Sequence, residues 1–183
     1  MFKDFLRLEA DPFRFALAIV LGTAMISLGA PWTFATPDGI PLTLQSLVVL
    51  LVPLIAGWKV GLCAALLYLV AGGLGFPVFA QGASGWTHFT GLSGGYLMGF
   101  PIAALLVGWF SESIERYQAL WSLGLMIAGH LVVVALGLFW QQSVAPVDLD
   151  TLQILESFLP SILIKSSAGS FVVALMTRTL NKN

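Results

Sequence analysis

The chain reads as an all-α integral membrane protein with six transmembrane helices and both termini in the cytoplasm. Three observations predict this. Composition is the first: of 183 residues, 58% are hydrophobic and only 9% are charged, against roughly 25% charged in soluble domains. A mean hydropathy of +0.93 agrees. The second is the length of the apolar runs, six of which approach the ~20 residues needed to cross a hydrocarbon core. They fall at about 13–31, 42–57, 59–75, 93–110, 120–140 and 157–177. The third is the placement of the basic residues. Seven of the eight lie on one side of that arrangement, which the positive-inside rule makes cytoplasmic.

The first run follows a cytoplasmic segment, 1–12, that holds Lys3 and Arg7, and Arg14 stands at the start of the run. Ser27-Leu28-Gly29-Ala30 resembles a cleavage site, but Asp4, Glu9 and Asp11 are atypical of a secretory leader, so the run is expected to remain as a span. Lys59 sits in a tight link between the second and third runs, and Arg116 in a short link between the fourth and fifth. Arg178 and Lys182 follow the sixth. The opposite connections, 32–41, 76–92 and 141–156, contain no lysine or arginine. The runs are continuously apolar rather than alternating, which disfavours a β-barrel. One membrane domain, 1–183, is expected, in the cell membrane and in contact with the lipid bilayer.

The external connection between the third and fourth helices is the unusual one. "GFPVFAQGASGWTHFTGLSGGYLMGF", 75–100, holds seven glycines and no lysine or arginine. Glycines such as Gly82, Gly85, Gly91, Gly94 and Gly95 permit tight turns and close backbone approach. Phe79, Trp86, Phe89 and Tyr96 supply apolar stacking surface. The loop 76–92 therefore suits a lid over a small, largely apolar ligand at the external mouth. Ser84 within the loop and Ser93 just after it add hydroxyls, and Ser84, Trp86 and Ser93 join the candidate ligand contacts.

Several polar residues stand in or beside apolar runs. Lys165 is the one charged residue well within a span, about seven residues from the external end of the last helix. A charge at that depth marks a ligand or ion site unless its long stem carries it out to the headgroups. No acidic residue lies within the six runs, so an anionic ligand would supply its countercharge. His130, in the middle of the fifth run, suits a neutral imidazole bonded across the bundle, with a proton relay as the alternative. His88 is a polar loop residue or a ligand contact. Thr43 either caps the second helix or touches ligand, and Gln45 offers both a donor and an acceptor. Ala18 and Gly22 form a small-residue pair that serves bundle packing or docks another membrane protein.

Other classes find no support. There is no basic patch for nucleic acid, and the lone Cys63 forms no internal disulfide. Two isolated histidines do not make a metal site. No cofactor is implied, and no phosphate-binding loop or catalytic group set is visible, so the chain reads as a non-enzyme.

With these residues placed, "IPLTLQSLVVLL", "GLGFPVFAQGASG" and "GLSGGYLMGF" together resemble the signature segments of BioY proteins, over about residues 20–178. These are the biotin-binding S-components of energy-coupling factor (ECF) transporters. The resemblance implies a six-helix subunit that captures biotin with high affinity outside and transports it without chemistry on it. It also implies a membrane coupling subunit and two ATPase subunits as partners, although some BioY proteins are thought to act without such a module. Carried over residue by residue, it places Thr43 and Gln45 in the second-helix motif and Phe79 in the loop motif. Gly94, Gly95 and Tyr96 fall where the loop enters the fourth helix, and Lys165 ends the last-helix motif. Ile162 stands where the family motif has an acidic residue. That departure leaves two alternatives open: an S-component for another small carboxylated or heterocyclic metabolite, and a membrane scaffold that transports nothing.

Overall fold

The computed structural model describes residues 10–31, 33–35, 41–112, 119–144 and 151–180. Lys3, Arg7, Arg116 and Lys182, together with residues 1–9 of the expected N-terminal segment, lie outside the described residues. The elements in chain order are α1 (Pro12–Leu28), β1 (Thr33–Ala35), β2 (Pro41–Thr43), α2 (Gln45–Ala56) and α3 (Trp58–Gly73). A 3-10 turn at Ala80–Gly82 and the short α4 (Thr87–Thr90) follow, then α5 (Gly94–Glu112), α6 (Ala119–Val144) and α7 (Thr151–Leu180).

Gly94–Glu112, Leu120–Val144 and Glu156–Thr179 are long and apolar enough to cross a membrane. Pro12–Leu28, Gln45–Ala56 and Trp58–Gly73 are shorter apolar helices. Together these six occupy the positions expected of the six apolar runs. Large side chains such as Phe13, Leu28, Phe139, Ile164 and Phe171 stand exposed around the outside of the bundle. That is the inverse of a soluble surface and what a hydrocarbon solvent permits.

Local chemistry explains the boundaries. Asp11 caps α1 by accepting from the Phe13 and Arg14 amides, and its carboxylate pairs with Arg14 at 3.3 Å. The link between α2 and α3 narrows to one residue, Gly57, whose φ of 89° strongly favours glycine. At this same end the Trp58 amide donates to the Glu112 carboxylate at 3.1 Å, tying the start of α3 to the end of α5. The β1–β2 hairpin, with Thr33 opposite Thr43, leads into α2. Thr43 therefore ends a strand, and the helix begins at Gln45 with Leu44 at the cap position and no side-chain cap. The capping role expected of Thr43 is not realised.

Twelve-residue α2 spans only about 18 Å, yet it is the hub of the bundle, packed against α1, α3, α5, α6 and α7. Its run from Val49 to Leu54 is buried, and Val49 and Leu50 share one apolar core with Ala64, Phe100 and Met126. Ala18 packs against that core, and a methyl on Gly22 would meet Ala64 and Val52 at 3.1 Å. Both residues thus contribute to packing within the bundle, the first of the two roles expected of the pair.

Candidate functional site

A cavity of about 670 Å³ opens at the end of the bundle where α2 starts and α3 finishes. Its size falls within the range of small-molecule pockets. One wall is α7, which presents Phe158, Ser161, Ile162 and Lys165. Their i, i+3, i+4, i+7 spacing puts them on a single helix face. The facing wall is α6, with His130, Val133, Val134 and Gln141. Tyr96, Leu97 and Phe100 of α5 close a third side, and Thr43 of β2 with Gln45 and Ser46 of α2 contribute the edge. The glycine-rich loop supplies the remainder through Phe79–Gln81, Ala83, Thr87, His88 and 91–93.

The loop is held by specific contacts. Both amide hydrogens of Gln45 are committed, one to the Tyr68 hydroxyl at 2.6 Å and one to the Val78 carbonyl at 3.1 Å. Gln45 thereby binds the loop to α3 and keeps its carbonyl oxygen for other partners. Phe79 lies against Gly72, and the Trp86 ring against Gly73, at positions where a side chain on α3 would collide. The Gly85 amide donates to the Gly72 carbonyl at 2.8 Å. Edge contacts link Phe79 to Tyr68, His88 and Phe89 at centroid distances of 5.6–5.8 Å, a spacing that favours aromatic pairs. On the far side, Trp140 Nε1 donates to the Gly91 carbonyl at 2.9 Å. The Tyr96 hydroxyl donates to Gln141 Oε1 at 3.3 Å.

Of the residues expected at a ligand site, the fold brings Thr43, Gln45, Phe79, Ser93, Tyr96 and Lys165 to one cavity. Four others do not line it. Gly94 and Gly95 are buried spacers, where added methyls would run into the Phe89 carbonyl and the Trp140 and Leu136 region of α6. Trp86 braces the loop from outside, against Gly73 and Phe89. Ser84 is half-buried in the loop.

Lys165 is 8% exposed and donates to Ser46 Oγ at 3.2 Å. Among the described residues, no carboxylate lines the cavity with it. Helix α7 begins at Thr151, earlier than the expected 157, so Lys165 lies deeper along the helix than its position in the apolar run implied. Ile162 is buried against Val134 and Phe158 and makes that part of the wall apolar. His130 bonds across the bundle to Ser166 Oγ at 3.2 Å, as a neutral imidazole was expected to do, and also lines the cavity.

Sequence reasoning did not single out Ser46, Ser161 or Gln141. Ser46 follows Gln45 directly, and Ser161 lies one turn before Lys165, so helical spacing from either would have found them. Gln141 sits where the fifth run was expected to end, and its inward orientation depends on α6 continuing to Val144.

Comparison with known proteins decides the family. The model of the BioY family matches residues 7–182. The chain belongs to the BioY family. Biotin transporter BioY2 of Lactococcus lactis subsp. cremoris is 37% identical over 131 residues, 71% of this chain and 70% of that one. Biotin transporter BioY of Rhodobacter capsulatus is 32% identical over 85% of this chain and 86% of its own. In fold, the chain is similar to the crystal structure of the S-component for biotin from an ECF-type ABC transporter. The TM-score is 0.81 at 23% identity, covering 94% of this chain and 93% of that one. Its BioY membership and its several apolar helices make this chain a multi-pass membrane protein.

Proposed function

We propose that this chain captures biotin in the cavity between α2, α5, α6, α7 and the glycine-rich loop, and serves as the substrate-binding subunit of an ECF-type transporter. The supporting observation is the cavity's polarity. Walls whose surface is mainly apolar surround Lys165, the one lysine or arginine among the described lining residues, which has a serine rather than a carboxylate as its neighbour. That arrangement suits a small ligand with an apolar body and one carboxylate, and biotin fits this description. BioY membership and the biotin transporters among its relatives point the same way.

In this reading all six apolar helices span the bilayer, with both termini cytoplasmic. The hairpin, the loop and the cavity mouth then face outward, and the Gly57 turn faces the cytoplasm. A membrane coupling subunit and a pair of ATPases would drive release, and the chain itself performs no chemistry on its cargo. Mass spectrometry of small molecules retained by the purified protein tests the ligand. Biotin in stoichiometric amount is the expected result. A different carboxylated or heterocyclic molecule would redirect the assignment, and Ile162, with its apolar side chain, is where such a difference would originate.

A further inference from the structure

The cavity contains a polar atom that the fold leaves unpaired. His130 Nδ1 lies 2.8 Å from the Met126 carbonyl oxygen and 3.2 Å from Ser166 Oγ. His130 Nε2 is buried and, among the described residues, is the one buried side-chain nitrogen or oxygen with no hydrogen-bond partner. A carbonyl oxygen only accepts, so Nδ1 must carry the ring hydrogen and donate it. In that tautomer Nε2 presents a lone pair. A second proton on Nε2 would put a cation near Lys165 in a cavity that, among the described residues, is lined by no carboxylate. Nε2 is therefore an acceptor, buried and unused, on a residue that lines the cavity. Native structures rarely leave such an atom unpaired, and the exceptions call for an explanation.

The rest of the cavity sharpens the point. Lys165 provides donors for an anion, but a ligand N–H needs acceptors. Gln45 has committed both amide hydrogens and retains its carbonyl oxygen, and Gln141 Oε1 already accepts from Tyr96. We propose that His130 Nε2 accepts a hydrogen bond from a ring N–H of the ligand, making His130 a residue that selects for an unsubstituted cyclic urea. This inference rests on the biotin reading above, since biotin joins a carboxylate tail to a urea ring carrying two N–H groups. Lys165 then fixes the tail and His130 reads the ring.

The test uses the full chain in detergent, labelled with ¹⁵N-histidine, and biotin as the probe. Saturation with biotin should move the Nε2 resonance of His130, which is told apart from that of His88 by the His88→Gln variant. The two mono-N-methyl biotins are then compared with biotin. His130→Phe should weaken biotin binding by about tenfold to a hundredfold. It should also erase the wild-type preference for biotin over the derivative methylated at the contacting nitrogen. His130→Gln, which restores an acceptor, should recover part of both. A merely structural role for His130 would weaken biotin and its methylated forms equally. Wild-type protein that binds biotin with an unmoved Nε2 resonance would overturn the assignment to His130 and leave the biotin reading standing, whether or not the variants fold. Wild-type protein that binds no biotin would overturn both.

Discussion

Replacing Lys165 by methionine isolates the charge from the stem that carries it. In the native protein the side chain is 8% exposed, donates to Ser46 at 3.2 Å and lines the cavity. Methionine keeps most of the apolar stem, so packing against α2 and α6 should change little. The ammonium that would meet a ligand carboxylate is lost. Removing one partner of a buried ion pair costs about 3–5 kcal/mol, whereas an exposed pair contributes only about 0–1 kcal/mol. At about 1.4 kcal/mol per tenfold, biotin should bind at least a hundredfold more weakly. Isothermal titration of the purified protein reads this directly, with the thermal transition as a check on folding. Biotin amide, which lacks the charge, should bind the wild type weakly and lose little more on mutation. Unchanged biotin affinity in a folded Lys165→Met protein would refute the pairing. Lys165 would then be a structural donor to Ser46.

Other outcomes follow from the same geometry. Gln45→Leu removes the bonds to Tyr68 and Val78 and leaves the Val78 carbonyl short of a donor, costing about 1–3 kcal/mol. Faster hydrogen exchange across 76–92 is expected, and unaltered exchange would contradict the tether. Gly95→Ala forces a methyl against the Leu136 carbonyl and Trp140 at the α5–α6 contact, so the thermal midpoint should fall by the equivalent of about 1–3 kcal/mol. An unchanged midpoint would mean that the two helices can separate freely. In a Cys63→Ala background, an impermeant thiol reagent applied outside should label a cysteine at Ser84 but not one at Ser113, a position outside the described residues. Labelling at Ser113 alone would reverse the proposed orientation. The pure subunit should not turn over ATP, and turnover that survives rigorous purification would contradict a purely binding role.

Much of this fold could be read from the sequence because the membrane makes hydropathy decisive. The six apolar runs reappear as six helices, with boundaries shifted by a few residues where local chemistry intervenes. Gly57 ends α2 through its positive φ, and the β1–β2 hairpin delays the start of α2 to Gln45. The early start of α7 was hidden because its first turns, from Thr151, are too polar to register as a span. Within the site, Lys165 was legible because a charge at membrane depth is costly and conspicuous. The distinction between lining and bracing residues was not. Trp86, Gly94 and Gly95 belong to the same glycine-rich stretch, 75–100, as Phe79 and Tyr96, and only three-dimensional packing separates them. His130 was visible as a buried imidazole, but which ring nitrogen is committed and which is left over depends on Met126, one turn away on the same helix, and Ser166, on another.

Equilibrium titration of radiolabelled biotin onto the purified chain in lipid nanodiscs tests the central claim most directly. The account predicts saturable binding of one biotin per chain, displaced by excess unlabelled biotin and greatly weakened in Lys165→Met. Absence of saturable binding by folded wild-type protein would contradict it, as would saturable binding indifferent to Lys165 and blocked by none of the cavity substitutions.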